Sequence, residues 1–302
     1  MENTHKRKGN IYSKENKKNK TKKEKPPFKK KNLIINIILV VSILAAISSL
    51  AIILNWFKDN KETEKIVEEI SENISVEEVV DNENTELINP PSESDKTTGS
   101  NYYWDFIKLP LINVDFSKLL ETNKNTVGWI NINNTNINYP VVQTKNNEDY
   151  LDKAFDGSKN KAGWIFADYR NNMKDFDQNT IIYGHSRLNS TMFGTLFNVL
   201  NKSWYTNKYN HVIKFSTPYE NTMWQVFSVY KIEPEVYYLT TSFSSNTEYT
   251  KFLSTMKSRS IYDFNVELSE SDKIITLSTC SDAAGTGRIV LHAKLIKKEI
   301  RN

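Results

Sequence analysis

A single cysteine, Cys280, is all the thiol chemistry available in 302 residues. A lone cysteine excludes an intramolecular disulfide, so it is either a small apolar filler or a free thiol. Also missing are a Walker phosphate loop, a G-x-G-x-x-G turn and an H-E-x-x-H helix, which removes the motif-bearing nucleotide enzymes and zincins from consideration. The chain has only four histidines. Three of them, His185, His211 and His292, lie on separate segments from one another and from Cys280, without the tight spacing of a zinc site, so no metal is expected. Asp168, Asp175, Asp177 and Glu248 do not follow a calcium-loop pattern and read as a solvated surface. Internal repeats are absent.

One long apolar run is present. Leu33 to Leu54 carries no charge, and at about 1.5 Å per residue it spans roughly 33 Å, enough to cross a bilayer core. The Lys- and Arg-rich tail before it is expected to stay cytoplasmic, which sends the rest of the chain outside as a single-pass type II protein of the plasma membrane. A cleaved signal peptide has a shorter apolar region, and here the run continues past Ala45-Ala46-Ile47-Ser48-Ser49. The same tail reads as a topology signal and a contact for anionic lipid, so no nucleic-acid partner is expected. Residues 1–32 are therefore the basic tail and 33–57 the anchor. Residues 58–101 are acidic and poor in large apolar side chains, the composition of a flexible, solvated stalk. From Tyr102 to Asn302 aromatics return, and the length suits one globular domain. The formal net charge of +4 hides this division, because tail and stalk offset each other.

Strands dominate the domain. Val127 to Ile132, Ile137 to Val142, Thr180 to Tyr183, His211 to Phe215 and Trp224 to Tyr230 alternate at period two, the pattern of a β-barrel or sandwich. A short helix capped by Asp115 is expected through Leu120. Ser245-Asn246-Thr247-Glu248 has the S-x-x-E capping pattern ahead of a helix whose apolar face is Tyr249, Phe252, Leu253 and Met256. Cys280 ends the run Ile274 to Thr279, and a Gly-containing turn separates it from Arg288 to Ile296; this reads as an antiparallel hairpin that makes Cys280 and Arg288 neighbours. A thiol needs a basic partner to be nucleophilic at neutral pH. His211 and His292 read as ordinary sheet histidines, whereas His185 follows a strand end and opens a loop, where chemistry concentrates.

The segments Thr276-Leu277-Ser278-Thr279-Cys280 with Arg288, and Tyr183-Gly184-His185 followed by Met192-Phe193-Gly194-Thr195-Leu196, resemble the sortases, cysteine transpeptidases of Gram-positive surfaces, and within them class B. The resemblance extends over about Tyr102 to Lys297 and includes Asn147-Glu148-Asp149-Tyr150-Leu151. It implies a mainly β fold, an eight-stranded sortase-type β-barrel with peripheral helices, preceded here by the transmembrane helix and stalk. It implies Cys280 as nucleophile, His185 as general acid and base, and Arg288 as the group that positions substrate and stabilises negative charge. Ser278, Asn147 and Leu151 are implied to line the substrate groove. The implied partners are secreted proteins with a C-terminal sorting signal, of Asn-Pro-x-Thr type for class B, and the amine of a lipid II-type peptidoglycan precursor; no cofactor is implied. With no second apolar segment near Ile300, wall anchoring is favoured over pilin polymerisation. The rivals are a pilin-building sortase, a thiol hydrolase of the same fold, and a non-enzymatic membrane-tethered binding module in which Cys280 is filler.

Overall fold

The computed structural model describes residues 30–92, 101–279 and 287–301, with side chains from Asn32 onward. Contacts divide it into two units, one ending at Ile52 and the other beginning at Ile53. The first is the apolar part of helix α1 (Lys30–Asn73), with its Leu, Ile and Val side chains exposed on all sides. It is long and apolar enough to cross a membrane.

The second unit is built on a β-barrel. Its strands are β4 (Thr126–Ile132), β5 (Asn138–Val142), β6 (Phe166–Ala167), β7 (Asn179–Gly184), β8 (Val212–Ser216), β9 (Glu220–Ile232), β10 (Ile274–Thr279) and β11 (Arg288–Ile300). They run round in the order β4, β5, β6, β7, β10, β11, β9, β8, and β8 closes on β4. Closure leaves the eight strands without a free edge within the ring. Two pairings are parallel, β5 with β6 and β7 with β10; the others are antiparallel. Of the alternating runs read from the sequence, Phe215, Trp224 and Phe227 are fully buried, and Phe155, Trp164 and Phe193 from the connecting loops join them in the core.

Short helices α2 (Tyr103–Phe106), α3 (Ser117–Thr122) and α4 (Lys202–Thr206) lie outside the ring with the longer α5 (Asn246–Ser258). Asp115 stands one residue before the N-cap, Phe116, and accepts from the Ser117 amide at 2.9 Å, so it serves the helix start from outside the cap position. Ser245 caps α5 by accepting from the Glu248 amide, and Tyr249, Phe252, Leu253 and Met256 are its buried face. Glu248 departs from a reciprocal capping box, since its carboxylate takes the Ser244 amide and hydroxyl at 2.8 and 2.6 Å.

The acidic segment from residue 58 differs most from its composition. Instead of a solvated stalk, residues 58–73 complete α1, and Ile66, Val67 and Ile70 pack against the barrel core. Beyond it β1 (Val76–Val79) pairs with β3 (Leu111–Val114), and β2 (Thr85–Leu87) pairs with the far end of β11. A few apolar residues at helical spacing were enough to dock a segment whose charge content suggested solvent. Part of the same stretch, residues 93–100, lies outside the described residues.

Candidate active site

Parallel pairing of β7 with β10 decides where the chemistry can gather. The register runs from Ile274 against Asn179 to Thr279 against Gly184, so both strands end together. Gly184 is followed by His185, and Thr279 by Cys280, which lies outside the described residues. On the other flank β11 antiparallels β10 with Ser278 opposite Val290, and the Ile289 amide donates to Thr279 Oγ1 at 2.9 Å. Arg288 therefore opens β11 at the same end of the barrel, half-buried, with Ile232 of β9 across from it.

The half-buried His185 ring is held through Nε2. Nε2 lies 2.8 Å from the Leu151 carbonyl oxygen, which can only accept, so Nε2 carries the proton and Nδ1 is the basic nitrogen of the neutral ring. Burial lowers its pKa, and the charge of Arg187 acts in the same direction; the bond to Leu151 partly offsets both. At neutral pH the imidazole is thus poised as a base. Beneath it lies Gly163 at φ +64°, where a Cβ would come within 2.7 Å of His185 Cδ2 and 2.6 Å of the Tyr150 carbonyl oxygen. Only glycine combines that dihedral with that approach.

The other histidines are structural. His292 is fully buried, with Nδ1 2.8 Å from Thr276 Oγ1 and Nε2 2.8 Å from Tyr230 Oη, and burial drives its pKa down to about 3. His211 closes a short turn ahead of β8, with Nε2 2.7 Å from the Tyr205 carbonyl and rings of Trp204, Tyr205 and Phe264 around it.

The three residues expected to line a substrate groove occupy different settings. Ser278 is buried, its hydroxyl 3.0 Å from Tyr238 Oη. Asn147 spends both ends of its amide within the protein, Nδ2 on Asp168 Oδ2 and Oδ1 on the Tyr169 amide, each at 2.9 Å. Leu151 contributes its carbonyl to His185, and its half-buried side chain packs on the core.

Asp168 corrects the expectation of a solvated acid. It is fully buried and takes a two-pronged bond from Arg170, at 2.8 and 2.7 Å, and the Tyr183 hydroxyl at 2.9 Å. Those bonds more than offset desolvation and hold its pKa below the usual carboxylate value. Arg170 also donates to the Leu239 carbonyl at 3.0 Å, tying the segment before α5 to this network. Sequence reading missed Gly163, Tyr238 and the Asp168 pair. Gly163 alone carried a signal, as a glycine amid apolar residues, which marks close backbone approach.

Residues 130–296 match the sortase domain family. Sortase B of Staphylococcus aureus is 41% identical over 184 residues, which cover 60% of this chain and 75% of that protein. Sortase B of Listeria monocytogenes is 37% identical over 182 residues, 60% of this chain and 73% of its own. Among solved structures, sortase B of Bacillus anthracis in complex with AAEK1 superposes with a TM-score of 0.62 at 34% identity, covering 80% of this chain and 99% of that one.

Proposed function

This chain belongs to the sortase family and is class B-like, a cysteine transpeptidase of cell-wall anchoring, and from that premise we propose that Cys280, His185 and Arg288 carry the reaction. The observation that supports the assignment is the register: Thr279 pairs with Gly184, and Ile289 bonds to Thr279, so His185 and Arg288 lie at the barrel end where the described part of β10 stops, one residue before Cys280 in sequence.

His185 Nδ1 takes the proton of the Cys280 thiol as the sulfur attacks the carbonyl carbon of a Thr in the sorting signal of a secreted protein. The scissile C–N bond breaks, the leaving amine takes a proton from the His185 imidazolium, and a thioester remains on Cys280. An amine of a peptidoglycan precursor then attacks the thioester carbonyl. His185 Nδ1 removes its proton, the C–S bond breaks, and the departing sulfur recovers that proton from the imidazolium, which restores the thiol and the neutral ring. The Arg288 guanidinium faces the negative charge that develops on the carbonyl oxygen in both halves. Desolvation of His185 supports this cycle, since a ring neutral at rest accepts the second proton without first losing one. Ser278, Asn147 and Leu151 act as the groove's supporting wall, through Tyr238, Asp168 and His185 respectively. The basic tail 1–32 stays cytoplasmic, the anchor 33–57 crosses the plasma membrane once, and the catalytic unit faces outward.

The test incubates the purified full chain in detergent with sorting-signal peptides and an amine acceptor and reads products by mass. Wild type is expected to give acceptor-linked product and a trapped thioester, Cys280→Ala neither, and His185→Ala a loss of about 100- to 10,000-fold. Free acid as the sole product, unchanged by acceptor, would establish a hydrolase instead. Turnover by Cys280→Ala refutes the assignment.

A further inference from the structure

Two segments bracket His185, and one turn of α1 fastens both. The first is the turn 160–163 under the imidazole. Its Asn160 carbonyl accepts from the Gly163 amide at 3.0 Å, and Asn160 Oδ1 accepts from the Ala162 amide at 2.8 Å. Asn160 Nδ2 then reaches out to α1, donating to the Asp59 carbonyl and Thr63 Oγ1, each at 3.1 Å. The second is the loop after His185. Its Arg187 guanidinium donates through Nη2 to Asn60 Oδ1 and through Nη1 to the Lys161 carbonyl at 3.4 Å, while Asn189 Nδ2 meets Glu64 Oε1 at 3.4 Å.

Burial sets these contacts apart from ordinary surface bonds. Asn60 is 6% exposed and Thr63 1%, on a helix whose neighbouring residues are largely charged and exposed, and Asn160 opposite them is 1% exposed. Polar side chains so enclosed are held by their hydrogen bonds, and breaking one strands its partner. Arg187 is half-buried, and its Nε has no partner among the described residues, so Asn60 is the side-chain acceptor that keeps the guanidinium turned inward. In that position its charge acts on His185.

We propose that the Asp59–Thr63 turn of α1 is a positioning element of the active site, fixing the His185 ring through Asn160 and Gly163 on one side and through Arg187 on the other. The inference rests on His185 being the acid–base group. The catalytic machinery then begins inside the segment whose composition suggested a stalk. Small displacements of an acid–base group are costly, about 10- to 100-fold for shifts near 1 Å.

The experiment uses the full chain in detergent, with transpeptidation followed across pH. Asn60→Leu and Thr63→Val are each expected to lower kcat about 10-fold or more, leaving KM within about 2-fold. The pH–rate limb of the imidazole should move upward, because a loosened ring gains water and Arg187 swings away. Asn60→Asp keeps an acceptor for Arg187 and should restore kcat, while its carboxylate offsets the Arg187 charge and leaves the limb raised. Should Asn60→Leu not fold, Arg187→Gln breaks the same contact from the loop side, with the same kcat loss and pH shift expected. Wild-type kcat and pH profile in Asn60→Leu and Thr63→Val, with His185→Ala inactive, overturn the inference while leaving the acid–base role in place. A loss that Asn60→Asp fails to rescue assigns the effect to packing and also overturns it. Full turnover by His185→Ala removes the acid–base reading itself.

Discussion

Arg288 and His292 stand on the same strand, four residues apart, and have opposite fates: one half-buried at the rim, the other sealed in the sheet. Arg288→Lys keeps the charge but replaces a planar fork with a single point donor. Loss of a directed oxyanion donor costs about 3 to 4 kcal/mol, so turnover should fall on the order of 100-fold or more while iodoacetamide still alkylates Cys280. Near-normal transpeptidation by the lysine variant would reduce Arg288 to a diffuse field. His292 makes a prediction about stability instead. Its folded pKa of about 3 lies below the ordinary 6.5, so between those values the unfolded chain holds a proton the folded chain does not. Its contribution is complete above the upper value and is lost as pH falls toward the lower one. From pH 6.5 to 5 the loss is about 2 kcal/mol, and the lowered pKa values of His185 and His211 add in the same direction. Urea midpoints at pH 7 and 5 should converge in His292→Gln relative to wild type; an unchanged gap between them would show that His292 titrates normally. The distinction between rim and sealed histidine was legible beforehand, because His185 follows a strand end and His292 alternates within one. The partners were not: that Leu151 fixes the tautomer, or that Asp168 is enclosed with Arg170, depends on segments joined only by tertiary contact.

Among elements, the strands and α5 follow directly from period-two alternation and the Ser245 cap, and their observed bounds differ by a residue or a few. The segment before the barrel does not, because its apolar residues are thinly spread among charges and only the packing surface they meet makes them decisive. How firmly it is fastened can be measured. The Ile88 amide donates to the Ile296 carbonyl at 2.9 Å, and Tyr103 Oη donates to the Ile88 and Ile296 carbonyls at 3.1 and 3.2 Å. Lys297, fully buried on β11, donates to the Ile107 and Leu109 carbonyls at 2.8 and 3.0 Å and pairs with Asp81. Lys297→Ala strands two carbonyls, whereas the half-exposed Asp81 returns to water, so the urea midpoint should drop by the equivalent of roughly 2 kcal/mol at constant slope. A change under about 1 kcal/mol would mean the wrap is held by β2 alone.

At the scale of the whole molecule, the proposed outward orientation of the catalytic unit rests on an apolar helix behind a basic tail. Protease added to intact cells should remove the unit beyond Ile53 while an epitope on the basic tail survives until the cells are opened; the reverse pattern would invert the topology. Closure of the barrel has one more consequence. Asn179 and Ile274 are bonded neighbours, yet β8, β9 and α5 intervene between them in sequence. Such long-range parallel pairing forms late and slowly. A chain made from its N-terminus presents its imidazole before its thiol, and the two strands that lead to them join only when β10 slots beside β7. The order of assembly is thus itself a control: the site cannot be complete before the last strands of the barrel are in place.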